Sequence, residues 1–174
     1  MRISNGVEWA LHCCVVLSQA SAPVPAAQLA AFHEVSPSYL AKHLQALSRA
    51  GLTRSTQGAV GGYELVREPA TISVLDVVLA VDGHEPAFRC TEIRQRGPLA
   101  AAPEACLRPC AVARAMAAAE TAWRNALAEV SIADLAADVD VDTAGTAVPR
   151  LRAWLGARPS DSGSAAGREK SLEG

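Results

Sequence analysis

The sequence predicts a mainly α-helical chain with one small β-hairpin, and three observations predict it. Leu40, Leu44 and Leu47 recur at the i, i+4, i+7 spacing of a single buried helical stripe. Beyond Gly51 the period changes, and two short strand-like runs, Leu52 to Thr56 and Gly62 to Val66, flank a glycine-rich turn. Further on, an alanine-rich stretch from about Cys110 to Val130 sets Val112, Met116, Ala119, Trp123, Leu127 and Val130 along one side of a long helix. The 174 residues suffice for one domain, or a small domain with an appendage.

Each element has a local cause. Ser4 suits the N-cap of an apolar first helix running to about Ala20, which Pro23 and Pro25 then break. Pro25 opens a short second helix to about His33. After the turn Glu34-Val35-Ser36, Ser36 caps a third helix with Pro37 in its first position. Glu68-Pro69 ends the hairpin, and Ser73 caps a fourth helix to about Val81. Two short helices, a tight turn, a third helix and a hairpin make a winged helix-turn-helix. Residues 1–83 are therefore read as a DNA-binding domain. The segment 84–109 reads as an irregular loop broken by prolines. Residues 110–139 hold the long helix and a short one, Ile132 to Asp138, behind the cap Ser131. Residues 140–174 turn acidic and then Pro/Gly/Ser-rich, which predicts a flexible tail with at most a helical turn at Arg150 to Leu155 and disorder from Ser160.

Composition removes several classes. Half of the residues are hydrophobic and the net charge is −2, which excludes a disordered polyelectrolyte. No apolar run reaches the roughly 18–20 residues of a membrane span, and the start lacks the flanks of a signal peptide. A cytoplasmic protein without a membrane partner is expected. There, the five cysteines are not expected to be structural disulfides. Cys13 and Cys14 fall in an apolar helical pattern and read as core, whereas Cys90, Cys106 and Cys110 cluster around the irregular loop. No nucleophile–base pair or phosphate loop has supporting context, so no enzyme is expected.

The third helix has the chemistry to read DNA. Opposite its leucine stripe lie Ser38, Lys42, Gln45 and Arg49, flanked by Tyr39 and His43. Gln pairs with adenine and Lys or Arg with guanine, while the N-terminal residues of such a helix reach base edges. The wing adds Arg54, Ser55, Thr56 and Gln57 beside its glycine-rich tip. Within residues 1–82, Arg2, Lys42, Arg49, Arg54 and Arg67 are outweighed by Glu8, Glu34, Glu64, Glu68, Asp76 and Asp82. One copy thus offers modest electrostatic affinity. A homodimer on double-stranded promoter DNA is expected, with the long helix as its contact.

Ser36-Pro37-Ser38-Tyr39-Leu40, the run Leu47 to Leu52, Gly61-Gly62-Tyr63-Glu64-Leu65, and Ile72-Ser73 with Asp76-Val77-Val78 carry a resemblance. Over about residues 1 to 139 the chain resembles the Rrf2 family of winged-helix regulators, of the IscR- and NsrR-like kind, and within it the redox-sensing members. The resemblance implies a dimer on palindromic promoter DNA and, in many members, an iron–sulfur cluster in the loop before the long helix. It places that loop at Cys90 to Cys110. The spacing Cys90-x15-Cys106-x3-Cys110 departs from the family's three closely spaced cysteines, and Cys106 is the displaced one.

Clusters of either common type usually take four protein ligands, and His can replace Cys on one iron. In NsrR-like relatives the remaining ligand is a first-helix carboxylate of the partner subunit, at the position of Glu8 here. His12 follows four residues later, on the same helix face, with Cβ atoms about 6 Å apart. One expected ligand set is Glu8 and His12 from one protomer with Cys90 and Cys110 from the other, around a 2Fe–2S cluster. The alternative set is Cys90, Cys106 and Cys110 with Glu8 or His12. Taken singly, Glu8 reads equally as a carboxylate favoured by the helix dipole, and His12 as a buried core residue. His33, His43 and His84 read as surface residues, with His84 a weak alternate ligand. Trp9, beside Glu8, is either packing or a relay toward the recognition helix.

The expected function is a regulator whose DNA affinity follows the redox state of the cluster, through the angle between two recognition helices about 34 Å apart. A cluster-free thiol switch using Cys106 and Cys110, a nitric-oxide-sensing variant and a protein-binding winged domain are the rivals.

Overall fold

The computed structural model describes residues 3–58 and 61–156. Helix α1 (Asn5–Ser18) is followed by α2 (Ala26–Phe32), α3 (Pro37–Arg49), strands β1 (Thr53–Thr56) and β2 (Gly62–Leu65), and α4 (Val74–Asp82). An irregular loop with two short 3-10 turns leads to α5 (Ala111–Ala128), α6 (Ile132–Asp142) and α7 (Ala147–Gly156). The chain is mainly α with a two-stranded antiparallel hairpin, as the sequence predicts. Among the described residues no helix is long and apolar enough to cross a membrane.

The winged domain closes around α1. Ala10, Cys13, Cys14, Leu29, Leu40, Leu44, Leu47, Ile72 and Val77 are wholly covered in one core. Ser36 accepts the Tyr39 amide at 3.3 Å, with Pro37 in the first helical position, so α3 starts where its cap dictates. The preceding turn sets Glu34 at φ 54, a left-handed conformation uncommon for a residue with a side chain. In the wing, Arg54 pairs with Glu64 and Ser55 with Tyr63. Tyr63 also forms a bridge to Val24. A Cβ on Gly62 would strike the Val24 backbone, so only glycine allows this approach.

Ser73 caps α4 in a complete capping box: it accepts the Asp76 amide at 3.0 Å, and Asp76 accepts the Ser73 amide at 3.0 Å. Ser131 and Asp134 repeat the device at α6. Reciprocal backbone bonds, Val74 N–H to Val130 at 2.8 Å and Ile132 N–H to Ile72 at 2.9 Å, tie these two caps together. They fasten the end of α5 to the winged domain.

Several expectations are corrected. Ser4 precedes α1 but makes no side-chain cap; its hydroxyl and its amide (2.9 Å) both donate to Asp82 at the end of α4. The Asp82 carboxylate takes the hydroxyl that would otherwise cap the helix, and accepts the Ser4 amide as well. The tail predicted from residue 140 instead carries the end of α6, to Asp142, a turn, and α7 from Ala147 to Gly156. Leu151 and Leu155 of α7 pack against the core, Trp154 meets Phe32 at 5.1 Å, and Arg152 donates to Gln19 at 2.9 Å. The apolar spacing of Val148, Leu151 and Leu155 was the signal, obscured by the acidic and Pro/Gly-rich residues around it. The disorder expected from Ser160 lies outside the described residues, as do Ala59 and Val60 of the wing turn.

Candidate metal centre and DNA-reading face

The cysteine loop has almost no apolar cover: Ile93 is 73%, Leu107 84% and Leu99 94% exposed. Polar contacts shape it instead. Cys90 is exposed, and its sulfur accepts the Glu92 amide at 3.4 Å. Cys110, half-buried, is the N-cap of α5 and accepts the Ala113 amide at 3.2 Å. That amide, chiefly, holds the Cys110 thiol below its ordinary pKa, assisted by the Val112 amide, the neighbouring Cys90 thiol and the Arg94 charge, and opposed by partial burial. A helix N-terminus and a cation thus favour the thiolate form of Cys110, with Cys90 beside it. Cys106 is half-buried near the same arginine.

On α1, Glu8 and His12 are both exposed, so His12 is no core residue. They line an apolar groove of about 620 Å³ with Val7, Leu11, Val78 and Leu135. Among the described residues, no group of three or more His, Cys, Asp or Glu side chains of one chain could hold a metal ion. The chain presents two partial donor sets: soft sulfurs at the start of α5, and a carboxylate with an imidazole on α1. The three thiols alone do not form a gathered set either. Cys13 and Cys14 are fully buried, and burial pushes the Cys13 thiol up to about 12 and Cys14 higher still. They are inert core, as the pattern predicts.

An aromatic chain links α1 to the recognition helix. Trp9 meets His33 edge-on at 5.9 Å and Tyr39 at 6.4 Å; Tyr39 meets His43 at 5.2 Å, and His12 meets His33 at 5.9 Å. His33 and His43 are therefore half-buried packing residues and not surface residues, and each has a buried Nε2 without a hydrogen-bond partner among the described residues. Burial lowers the pKa of both; His12 adds to this at His33 and Lys42 at His43, where Asp82 opposes it. Sequence periodicity missed them because neither lies on a leucine stripe. Gly6 permits the contact, since a Cβ there would strike the His43 ring.

On α3, Ser38, Tyr39, Lys42, Gln45 and Arg49 all stand exposed opposite the buried leucines. Ser38 lies 3.4 Å from the Ser36 hydroxyl. Arg49, at the far end, lines a bowl with Arg67, Asp76 and His84. In the wing, Ser55, Thr56 and Gln57 are exposed, while Arg54 is held by Glu64 across the hairpin at 2.8 Å.

Residues 3–138 match the model of the Rrf2 family, described as an iron-dependent transcriptional regulator. The chain belongs to the Rrf2 family. It is 32% identical over 138 residues to the HTH-type transcriptional regulator YffB of Lactococcus lactis, covering 78% of this chain and 87% of that one. It is 38% identical over 76 residues to IscR of Vibrio vulnificus, 44% of this chain and 45% of that one. Its fold is that of T. potens IscR (TM-score 0.61, 22% identity, 82% of this chain and 90% of the other). The B. subtilis global cysteine regulator CymR is also similar in fold (TM-score 0.58, 24% identity, 79% and 97%). This Rrf2 protein is a DNA-binding transcriptional regulator and not an enzyme.

Proposed function

We propose that this regulator is a cytoplasmic homodimer of the redox-sensing kind, holding a 2Fe–2S cluster between its subunits. Cys90 and Cys110 of one protomer and Glu8 and His12 of the partner subunit would be the ligands. The observation that carries this reading is the split donor set: paired thiols at the start of α5, and an open carboxylate and imidazole one helical turn apart on α1. Two sulfurs with harder nitrogen and oxygen donors fit the smaller cluster. Helix α5 supports the dimer, since it has no buried residue in one chain and leaves Val112 62% and Met116 40% exposed.

The cluster, when bound, supplies a one-electron change of charge between the subunits. The chain's own residues turn that into a signal. His12 has two ring nitrogens, so it could hold the cluster through one and carry a proton on the other, coupling that proton to the electron. Its ring abuts His33, which abuts Trp9, whose edge rests on Tyr39 of α3. Trp9 is thus placed to pass a displacement of α1 to the recognition helix. There, Ser38, Tyr39, Lys42, Gln45 and Arg49, with Arg54, Ser55 and Gln57 of the wing, would meet DNA. Arg54 must first exchange Glu64 for a phosphate.

The second reading is a cluster-free thiol switch between Cys106 and Cys110, favoured by both thiols lying near Arg94. Visible absorbance and EPR of protein purified without oxygen, before and after dithionite, separate the two. A coloured protein with a spin-half signal on reduction, lost in Glu8→Ala and His12→Ala but retained in Cys106→Ala, is expected. Colourless, iron-free protein favours the thiol switch.

A further inference from the structure

We propose that Arg94 is the positioning residue of the cysteine loop: it joins the limb bearing Cys90 to the limb bearing Cys106 and Cys110, and seats a fixed positive charge beside the thiols. Its guanidinium grips both oxygens of Glu92, from Nε at 2.6 Å and Nη2 at 2.8 Å. On its other side Nη2 donates to the Arg108 carbonyl at 2.9 Å and Nη1 to the Ala105 carbonyl at 3.4 Å. Its own carbonyl accepts the Ala101 amide at 2.7 Å.

These partners map onto the thiols. Glu92 donates its amide to the Cys90 sulfur from a left-handed backbone at φ 51. Ala105 precedes Cys106, and Arg108 stands two residues before Cys110. One side chain therefore spans from the anchor of the first thiol to the carbonyls flanking the other two. Nothing apolar can substitute, because Ile93, Leu99 and Leu107 all point to solvent. Arginine is needed in place of lysine: the task requires a planar fork for a carboxylate and further N–H groups for two carbonyls at once.

The loop is consequently folded before a cluster arrives, which removes ordering entropy from cluster binding. The positive charge also favours the more negative, reduced form of a thiolate-bound cluster and so raises its potential. The second consequence rests on the ligand reading above; the first does not.

Hydrogen–deuterium exchange on the metal-free full-length protein tests the clamp. In Arg94→Gln the Ala101 and Glu92 amides should exchange at least about tenfold faster, the loss expected of a charge-assisted hydrogen bond, while those of α3 keep their rates. Arg94→Lys should fall between Gln and the native residue. Unchanged exchange in Arg94→Gln would overturn the proposal. In iron-loaded protein, the midpoint potential should drop in Arg94→Gln and stay near native in Arg94→Lys; a potential unmoved by Arg94→Gln would overturn the role of the charge. If native protein takes up no cluster, the ligand reading fails while the exchange result still decides the clamp.

Discussion

The winged domain and the segment from the cysteine loop through α5 are built on opposite principles. In the first, Leu40, Leu44 and Leu47 on one short helix are wholly covered by α1, α2 and α4 within a single chain. In the second, α5 has 18 residues and none is buried. Its apolar contacts with the winged domain are at its C-terminal end, Trp123 and Leu127 with Val130 just beyond, while Glu120 accepts the Ala87 amide and Arg124 donates to the His84 carbonyl. The core of the winged domain is closed within one chain, with Ile132 of α6 inside it and Leu151 and Leu155 of α7 against it. The loop and α5 are shaped by caps and a guanidinium, and their apolar face has little cover among the described residues. Stability in the first region comes from burial, so its parts are replaceable only at a cost in folding. Local opening of the second region would expose little of the apolar surface that holds the first together.

The same kind of substitution in the two regions should give opposite results. Leu44→Ala should lower unfolding stability by about 2–5 kcal/mol in chemical denaturation, the range for a buried leucine whose site cannot collapse. Met116→Glu on the open face of α5 should leave the circular dichroism of the fold intact yet shift sedimentation from dimer to monomer. A stable dimer in that variant would sink the α5 interface. Ser73→Ala, which removes the capping box at the start of α4, should cost about 1 kcal/mol in the same denaturation.

A smaller effect comes from two histidines within the winged domain. Burial holds the folded pKa of His33 and His43 below their ordinary value of 6.5. As pH falls through that value the unfolded chain takes up protons that the folded chain refuses. Stability present above about pH 6.5 is therefore lost below it, until the folded values are passed. Denaturation midpoints between about pH 7.5 and pH 5.5 should fall, and His43→Gln should flatten the slope. A native midpoint that rises on acidification contradicts the buried, neutral assignment.

The order of the helices, the hairpin, three caps (Ser36, Ser73 and Ser131) and the exposed face of α3 were all legible in the amino-acid order. Local signals carry that information: a serine oxygen two or three residues from an amide, a leucine every turn, and glycine where a strand must pass a backbone. The cysteines were legible as a cluster but not as a geometry. Periodicity places Glu8 and His12 on one face, whatever lies opposite. The α7 helix was missed because its packing partners, Phe32 and Gln19, lie more than a hundred residues away in the chain.

By itself the sequence determined the fold class, the Rrf2 likeness and the side chains available to DNA, because these depend on contacts within one or two helical turns. Only the tertiary structure decided that Cys90 comes beside the Cys110 that opens the long helix, that Trp9 bridges His33 and Tyr39, and that Arg94 holds the loop together. Those are contacts between segments remote in sequence, set by how the helices pack and where an irregular backbone turns. No local pattern encodes them.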